Sequence, residues 1–268
     1  MNICIIGCGA IGSVLARATT GLEGVQRICL FDQFPEQSER LHAEIPDSMV
    51  VRDIKEIPDD VELVIEAASQ NAVRNFGKEV LERGFNLMVM SVGALIDEKF
   101  YDELRKTAGE NGVRIYIPSG AIGGLDVINS AAVGGIHELS LKTSKPPKGL
   151  TNISFITAVG IDVEKIERPT VVFDGSVVEA IQKFPLNINV ASILALAGPG
   201  REHTRVRIIV DPDIERNIHE ISMRGEFGEM KCTIQNKPHP DNPKTSYLAA
   251  LSAIATVKKI VGVVSIGT

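Results

Sequence analysis

The sequence predicts an α/β chain in two parts. Residues 1–120 read as a parallel sheet wound with helices, residues 121–243 as an α+β part on a largely antiparallel sheet, and 244–268 as a last helix packing back on the first part. Three observations predict this. The apolar run Asn2-Ile3-Cys4-Ile5-Ile6 leads straight into the glycine-rich turn Gly7-Cys8-Gly9-Ala10-Ile11-Gly12. Strand-length apolar runs and helix-length segments then alternate as far as Ile117, which implies parallel pairing with right-handed crossovers. Beyond Leu125 the strands follow one another with few helices between them, the pattern of an α+β part.

The opening turn has the G-x-G-x-x-G spacing, and each glycine has a steric reason. Gly7 permits the tight turn, Gly9 lets the backbone approach a pyrophosphate, and Gly12 lets the helix Ala10–Thr19 sit close on the strand. Phosphates would then rest on the N–H groups at the helix N-terminus, with Ala10 and Ile11 beside them. The second strand, Ile28–Asp32, ends in an acid about 20 residues past the turn, where a carboxylate accepts from both ribose hydroxyls of adenosine. Together these predict a Rossmann dinucleotide-binding domain. Asp32 repels a 2′-phosphate and Gln33 adds no positive charge, so NAD is the expected cofactor, with NADP as the alternative.

The remaining elements follow in order. Gln33–Ala43 suits a helix, Met49–Val51 a short strand, and Glu62–Glu66 a strand that ends in Ala67-Ala68-Ser69. Asn71–Arg83 is a helix and Asn86–Met90 a strand closed by Ser91-Val92-Gly93, after which Asp97 caps a helix to about Gly109. Val113–Ile117 completes the series. Ligands bind beyond the carboxyl ends of such strands, so Ala68, Ser69, Ser91, Val92 and Gly93 join the cofactor-binding set. Gly120-Ala121-Ile122-Gly123-Gly124 either approaches the nicotinamide or serves as a hinge. In the second part a helix is expected at Leu125–Val133 and a strand at His137–Thr143. A solvated loop with Lys145-Pro146-Pro147-Lys148 follows, then a strand at Thr170–Asp174 and helices at Ser176–Lys183 and Val190–Ala197. Strands at Thr204–Val210, Ile218–Gly225 and Glu229–Gln235 precede Pro243-Lys244-Thr245-Ser246, which opens the helix Tyr247–Lys259.

Composition narrows the function. A net charge of −6 and a pI near 5.5 argue against a nucleic-acid partner, whose affinity comes from Lys and Arg neutralising phosphates. No signal peptide or membrane span is legible, so the expected address is the cytoplasm. Cys4, Cys8, Cys29 and Cys232 lack metal-type spacing, no metal site is expected, and the thiols read as small apolar packers, with Cys8 open to oxidation as the alternative. HExxH, GxSxG and GxxxxGK[ST] patterns are absent.

Two clusters in the second part carry possible chemistry. Alternation puts His219 on one strand face with Asn217 and Ile221, where it is either a satisfied core histidine or an acid–base group. Lys244, Thr245 and Ser246 at a helix start offer a cation, two hydroxyls and N–H groups, which is either a carboxylate cradle or an ordinary cap. Asn187 and Asn189 either cap a helix or present an amide to the nicotinamide or the substrate.

These motifs, with Ser91-Val92-Gly93-Ala94-Leu95, Gly120-Ala121-Ile122-Gly123, Phe173-Asp174-Gly175-Ser176, Asn187-Ile188-Asn189-Val190-Ala191, Asn217-Ile218-His219-Glu220 and Asn242-Pro243-Lys244-Thr245-Ser246, resemble the L-aspartate dehydrogenase family in order over nearly the whole chain. The resemblance implies NAD(P)-dependent oxidation of L-aspartate to iminoaspartate, which water hydrolyses to oxaloacetate and ammonia, as a supply for NAD biosynthesis. It implies His219 as the active-site histidine, Ala121 and Asn189 as dinucleotide contacts, and a homodimer through the second part's sheet. The rival readings are dihydrodipicolinate reductase, homoserine dehydrogenase and a non-catalytic dinucleotide sensor. His137-Glu138 is not followed by the His-His-x-x-Lys pattern of the first of these.

Overall fold

The structure, a computed structural model, describes residues 1–151, 153–185, 188–239 and 242–267, the side chains of 242–244 excepted. It divides into two compact units, one of Met1–Gly120 with Ala249–Ile266 and one built on Ala121–Leu248.

The first unit runs β1 (Asn2–Ile6), α1 (Ala10–Thr19), β2 (Arg27–Phe31), α2 (Pro35–Glu44), β3 (Met49–Val50), β4 (Leu63–Glu66), α3 (Gln70–Glu82), β5 (Asn86–Val89), α4 (Glu98–Glu110) and β6 (Ile115–Tyr116). Its sheet has the order β3-β2-β1-β4-β5-β6 with every pair parallel. The chain winds outward from β1 to β3, then returns to β4 on the other side of β1 and winds the opposite way. The carboxyl ends of β1 and β4 therefore flank the point where the winding reverses, the place such sheets leave open to a ligand. Helix starts carry their own signals. Ser69 accepts from the Ala72 amide at 3.2 Å to cap α3, Asp97 accepts from the Phe100 amide at 3.2 Å to cap α4, and Pro35 supplies the first residue of α2.

The second unit runs α5 (Leu125–Gly134), β7 (Ile136–Lys145), α6 (Ser154–Ala158), β8 (Thr170–Ser176), α7 (Val177–Lys183), α8 (Asn189–Ala197), β9 (Thr204–Val210), β10 (Asn217–Gly225), β11 (Gly228–Asn236), β12 (Pro238–His239) and β13 (Asn242–Ser246). Its main sheet has the order β11-β10-β7-β9-β8, antiparallel except for the parallel pair β7–β9. Leu139, Leu141, Val206, Ile208, Ile221 and Met223 form its buried face. A Cβ at Gly198 would lie 2.5 Å from Leu139 and 3.8 Å from Ile128, so the glycine lets the end of α8 close on that face beside α5. On the other face Lys142 pairs with Glu220 at 2.7 Å. Ser176 and Glu179 form a reciprocal cap at the start of α7.

Two expectations are corrected. Lys145 is not in a solvated loop, because β7 continues through it: Lys145 pairs with Val210 of β9, and its carbonyl accepts from the Asp211 amide at 2.9 Å. Pro243–Ser246 does not open a helix either. It lies in strand β13, where Ser246 pairs with Pro238 of β12, the Tyr247 amide donates to the Lys237 carbonyl, and the last helix, α9 (Tyr247–Val261), begins at the expected residue. Ala253 and Val257 of α9 pack with Ile3, Ile5, Leu15, Leu30 and Met88 in the core of the first unit. Past α9, Val263, Val264 and Ile266 are exposed.

Candidate active site

In the first unit the glycine turn is shaped by close approach. Gly7 has φ +98°, and a Cβ there would lie 2.8 Å from the Ala68 Cβ and 2.9 Å from the Ala67 carbonyl. A Cβ at Gly12 would run into the Gly7 carbonyl oxygen. Gly9 meets nothing within 4 Å, so the open side of the turn lies at the start of α1, whose first turn carries no acid. The first amides of α1 have no partner within the helix. A phosphate fits such a place, because Gly9 leaves the backbone bare and the first turn of α1 carries no acidic residue of its own.

Asp32 stands just past β2. Its Oδ2 accepts from the Cys8 amide at 2.7 Å and its Oδ1 from the Phe34 amide at 2.9 Å. The same carboxylate that can take ribose hydroxyls thus ties the glycine turn to β2. Cys8 itself is buried, and burial with the nearby Asp32 charge pushes its thiol up to about 12, so the thiolate needed for oxidation does not form near neutral pH.

Sequence reasoning missed Glu66, the buried last residue of β4. Its carboxylate accepts from the Ala68 amide at 2.8 Å, the Ser91 amide at 2.9 Å and the Ser91 hydroxyl at 2.8 Å, holding two of the expected cofactor turns together. Burial raises its proton affinity, and these donors work against that. Among the other expected residues of these turns, Ser69 is occupied as a cap, while Val92 and Gly93 are buried and offer a ligand backbone rather than side chains. The only sequence signal for Glu66 is an acid ending an otherwise apolar strand.

In the second unit His219 lies on the buried face of β10 at 4% exposure. Its Nδ1 is 3.0 Å from the Thr143 hydroxyl on β7. Burial, and secondarily the charge of Lys145, lowers its pKa to about 3, so the imidazole is neutral. Lys145, two residues past Thr143 on the same face, is 6% exposed, and burial lowers its pKa to about 8. Asn236 on β11 donates from Nδ2 to the Ala121 carbonyl at 2.9 Å, while its buried Oδ1 has no partner among the described residues. Gly123 passes within Cβ reach of Ile234 and Cys232, so the glycine segment that carries Ala121 lies on the sheet next to His219's strand.

Other expected residues are placed differently. Asn189 is the exposed first residue of α8, whose cap position is Ile188 without a side-chain bond. Asn187 and the side chain of Lys244 lie outside the described residues. Thr245 is half-buried and Ser246 buried in β13, which ends where α9 begins. Among the described residues no group of three His, Cys, Asp or Glu side chains is placed to hold a metal ion, and no helix is long and apolar enough to cross a membrane.

Comparison with known proteins bears on both units. Residues 7–118 match the family model described as the NAD-binding domain of homoserine dehydrogenase, and residues 126–260 match the one described as the C-terminal part of aspartate dehydrogenase. The chain is 45% identical to an L-aspartate dehydrogenase of Methanosarcina acetivorans and 46% identical to one of Methanosarcina barkeri, in both cases over 100% of each chain. Among solved structures it resembles an aspartate dehydrogenase from Thermotoga maritima at 31% identity and a TM-score of 0.80, covering 100% of this chain and 99% of that one.

Proposed function

The chain belongs to the L-aspartate dehydrogenase family, and from that premise we propose that it dehydrogenates L-aspartate to iminoaspartate with a pyridine nucleotide as oxidant. In this reading residues 1–120, with the last helix, are the dinucleotide-binding domain, and residues 121–243 bind substrate and form a homodimer through their sheet in the cytoplasm. The observation that carries the chemistry is the neutral, buried imidazole of His219 bonded to Thr143 beside the buried ammonium of Lys145.

The glycine turn and the N-terminus of α1 hold the pyrophosphate, Asp32 takes the adenosine ribose, and Ala68, Ser69, Ser91, Val92 and Gly93 line the remaining path, with Ala121 and Asn189 at the nicotinamide. When bound, the nicotinamide accepts the hydride that leaves Cα. The protein's part is to orient that C–H bond and to manage one proton on the amine. A neutral imidazole accepts such a proton, and positioned acid–base groups contribute about 10²–10⁴-fold. In the ligand-free fold His219 is a poor base, because burial and Lys145 disfavour its charge. Aspartate brings two carboxylates, and opposite charge within a few ångströms raises the proton affinity of an imidazole. His219 thus gains basicity when the substrate is in place. Thr143, bonded to Nδ1, holds the ring so that Nε2 serves the substrate. The iminoaspartate released supplies pyridine-ring synthesis or hydrolyses to oxaloacetate and ammonia.

Purified protein supplied with NAD and L-aspartate, then with homoserine or malate, tests the reading through NADH absorbance. NADH formation with aspartate well above either alternative supports it, whereas preference for homoserine would return the chain to the rival reductase reading.

A further inference from the structure

We infer that Lys145 is a substrate-binding residue whose ammonium takes one carboxylate of a dicarboxylate beside His219, a role that rests on the aspartate dehydrogenase reading above. Lys145 ends β7 on the same face as Thr143, and Thr143 is bonded across the ladder to His219. Ser144 pairs with Ile218, so Lys145 comes level with Asn217, the first residue of β10. Gly149 packs against both: a Cβ there would lie 3.5 Å from the Lys145 Cβ and 3.8 Å from the Asn217 Oδ1. The same face carries the Asn236 Oδ1, a buried acceptor with no partner among the described residues, two positions along β11 from the residue paired with His219. A cation, a neutral imidazole and a spare acceptor are the complements of a carboxylate and an amine on one small molecule.

The energetics agree. Burial works against the ammonium strongly enough to bring its pKa to about 8. A dianionic ligand offsets that desolvation, because negative charge within a few ångströms favours the ammonium.

The test uses the full chain in the presence of NAD, with succinate as a dicarboxylate lacking the amine. Wild type, Lys145→Met and Lys145→Arg are compared for succinate affinity by calorimetry, KM for aspartate, NAD affinity and unfolding midpoint. Lys145→Met is expected to keep NAD affinity and to have a midpoint at pH 7 no lower than wild type. Its succinate affinity should fall roughly 10- to 100-fold, with KM for aspartate rising in step, and Lys145→Arg should recover part of the loss. Unchanged succinate affinity in a folded, active Lys145→Met overturns the assignment and leaves the aspartate reading intact. A fold lost in both variants marks Lys145 as structural and also overturns it. A wild type that forms no NADH with aspartate and binds no succinate removes both.

Discussion

Burying His219 uncharged makes the protein sensitive to acid. The unfolded chain protonates this imidazole near its ordinary pKa, whereas the folded chain does so only near 3. Between those values the unfolded state holds more protons, so stability rises with pH and is lost as pH falls from about 6.5 towards 3. The slope is about 1.4 kcal/mol per pH unit, so this group removes about 2 kcal/mol between pH 6.5 and pH 5. His219→Asn removes that dependence. Urea unfolding should therefore find the stability difference between wild type and variant shifted by about 2 kcal/mol in the variant's favour at pH 5 relative to pH 7. A difference that stays constant would mean that the folded imidazole protonates normally. Lys145 has the same sign of penalty in a different window: its folded pKa is lowered to about 8, so its cost is complete below that pH and disappears as pH rises towards 10.5.

At the scale of elements, Glu66 ties together two of the turns proposed to hold the cofactor. Its side chain joins the end of β4 to the turn after β5 through Ala68 and Ser91. Glu66→Gln replaces one acceptor oxygen by a donor facing other donors, which costs about 1–3 kcal/mol for a buried group. The expected result is a lower unfolding midpoint together with weaker NAD binding, measured by fluorescence titration. Full NAD affinity in a destabilised variant would separate the clamp from the cofactor site. The strand–turn–helix start was legible because glycine sterics and an acid at fixed spacing are local facts. Lys145 was not legible, because Thr143-Ser144-Lys145 before two prolines has no apolar alternation, and only pairing with Val210 of β9 and the neighbouring β10 makes it strand. Likewise Pro243–Ser246 has the composition of a helix cap, yet it lies in strand β13, where Ser246 pairs with Pro238 of β12. His219 was placed on the correct face by period-2 alternation, but its neutrality needed the burial and the lysine that only the folded sheet supplies.

At the scale of the whole molecule, cofactor choice and catalysis are the two claims. Asp32 accepts two backbone amides, which fixes its carboxylate beside the glycine turn, and in the proposed dinucleotide site that charge would repel a 2′-phosphate. Arg52, a cation that could otherwise meet a 2′-phosphate, is paired with Glu39 at 2.6 Å. kcat/KM should therefore favour NAD over NADP. Equal or better use of NADP would shift attention to the exposed Arg40, whose charge is felt at Cys8. The central claim is that His219 serves the oxidation of aspartate rather than the packing of its sheet. It is tested by measuring aspartate-dependent NADH formation, NAD affinity and unfolding midpoint for wild type and His219→Asn on the same preparations at pH 7. The account predicts activity down by about 10²-fold or more with NAD binding retained and the midpoint little changed. Activity that falls only in proportion to the folded fraction would contradict it.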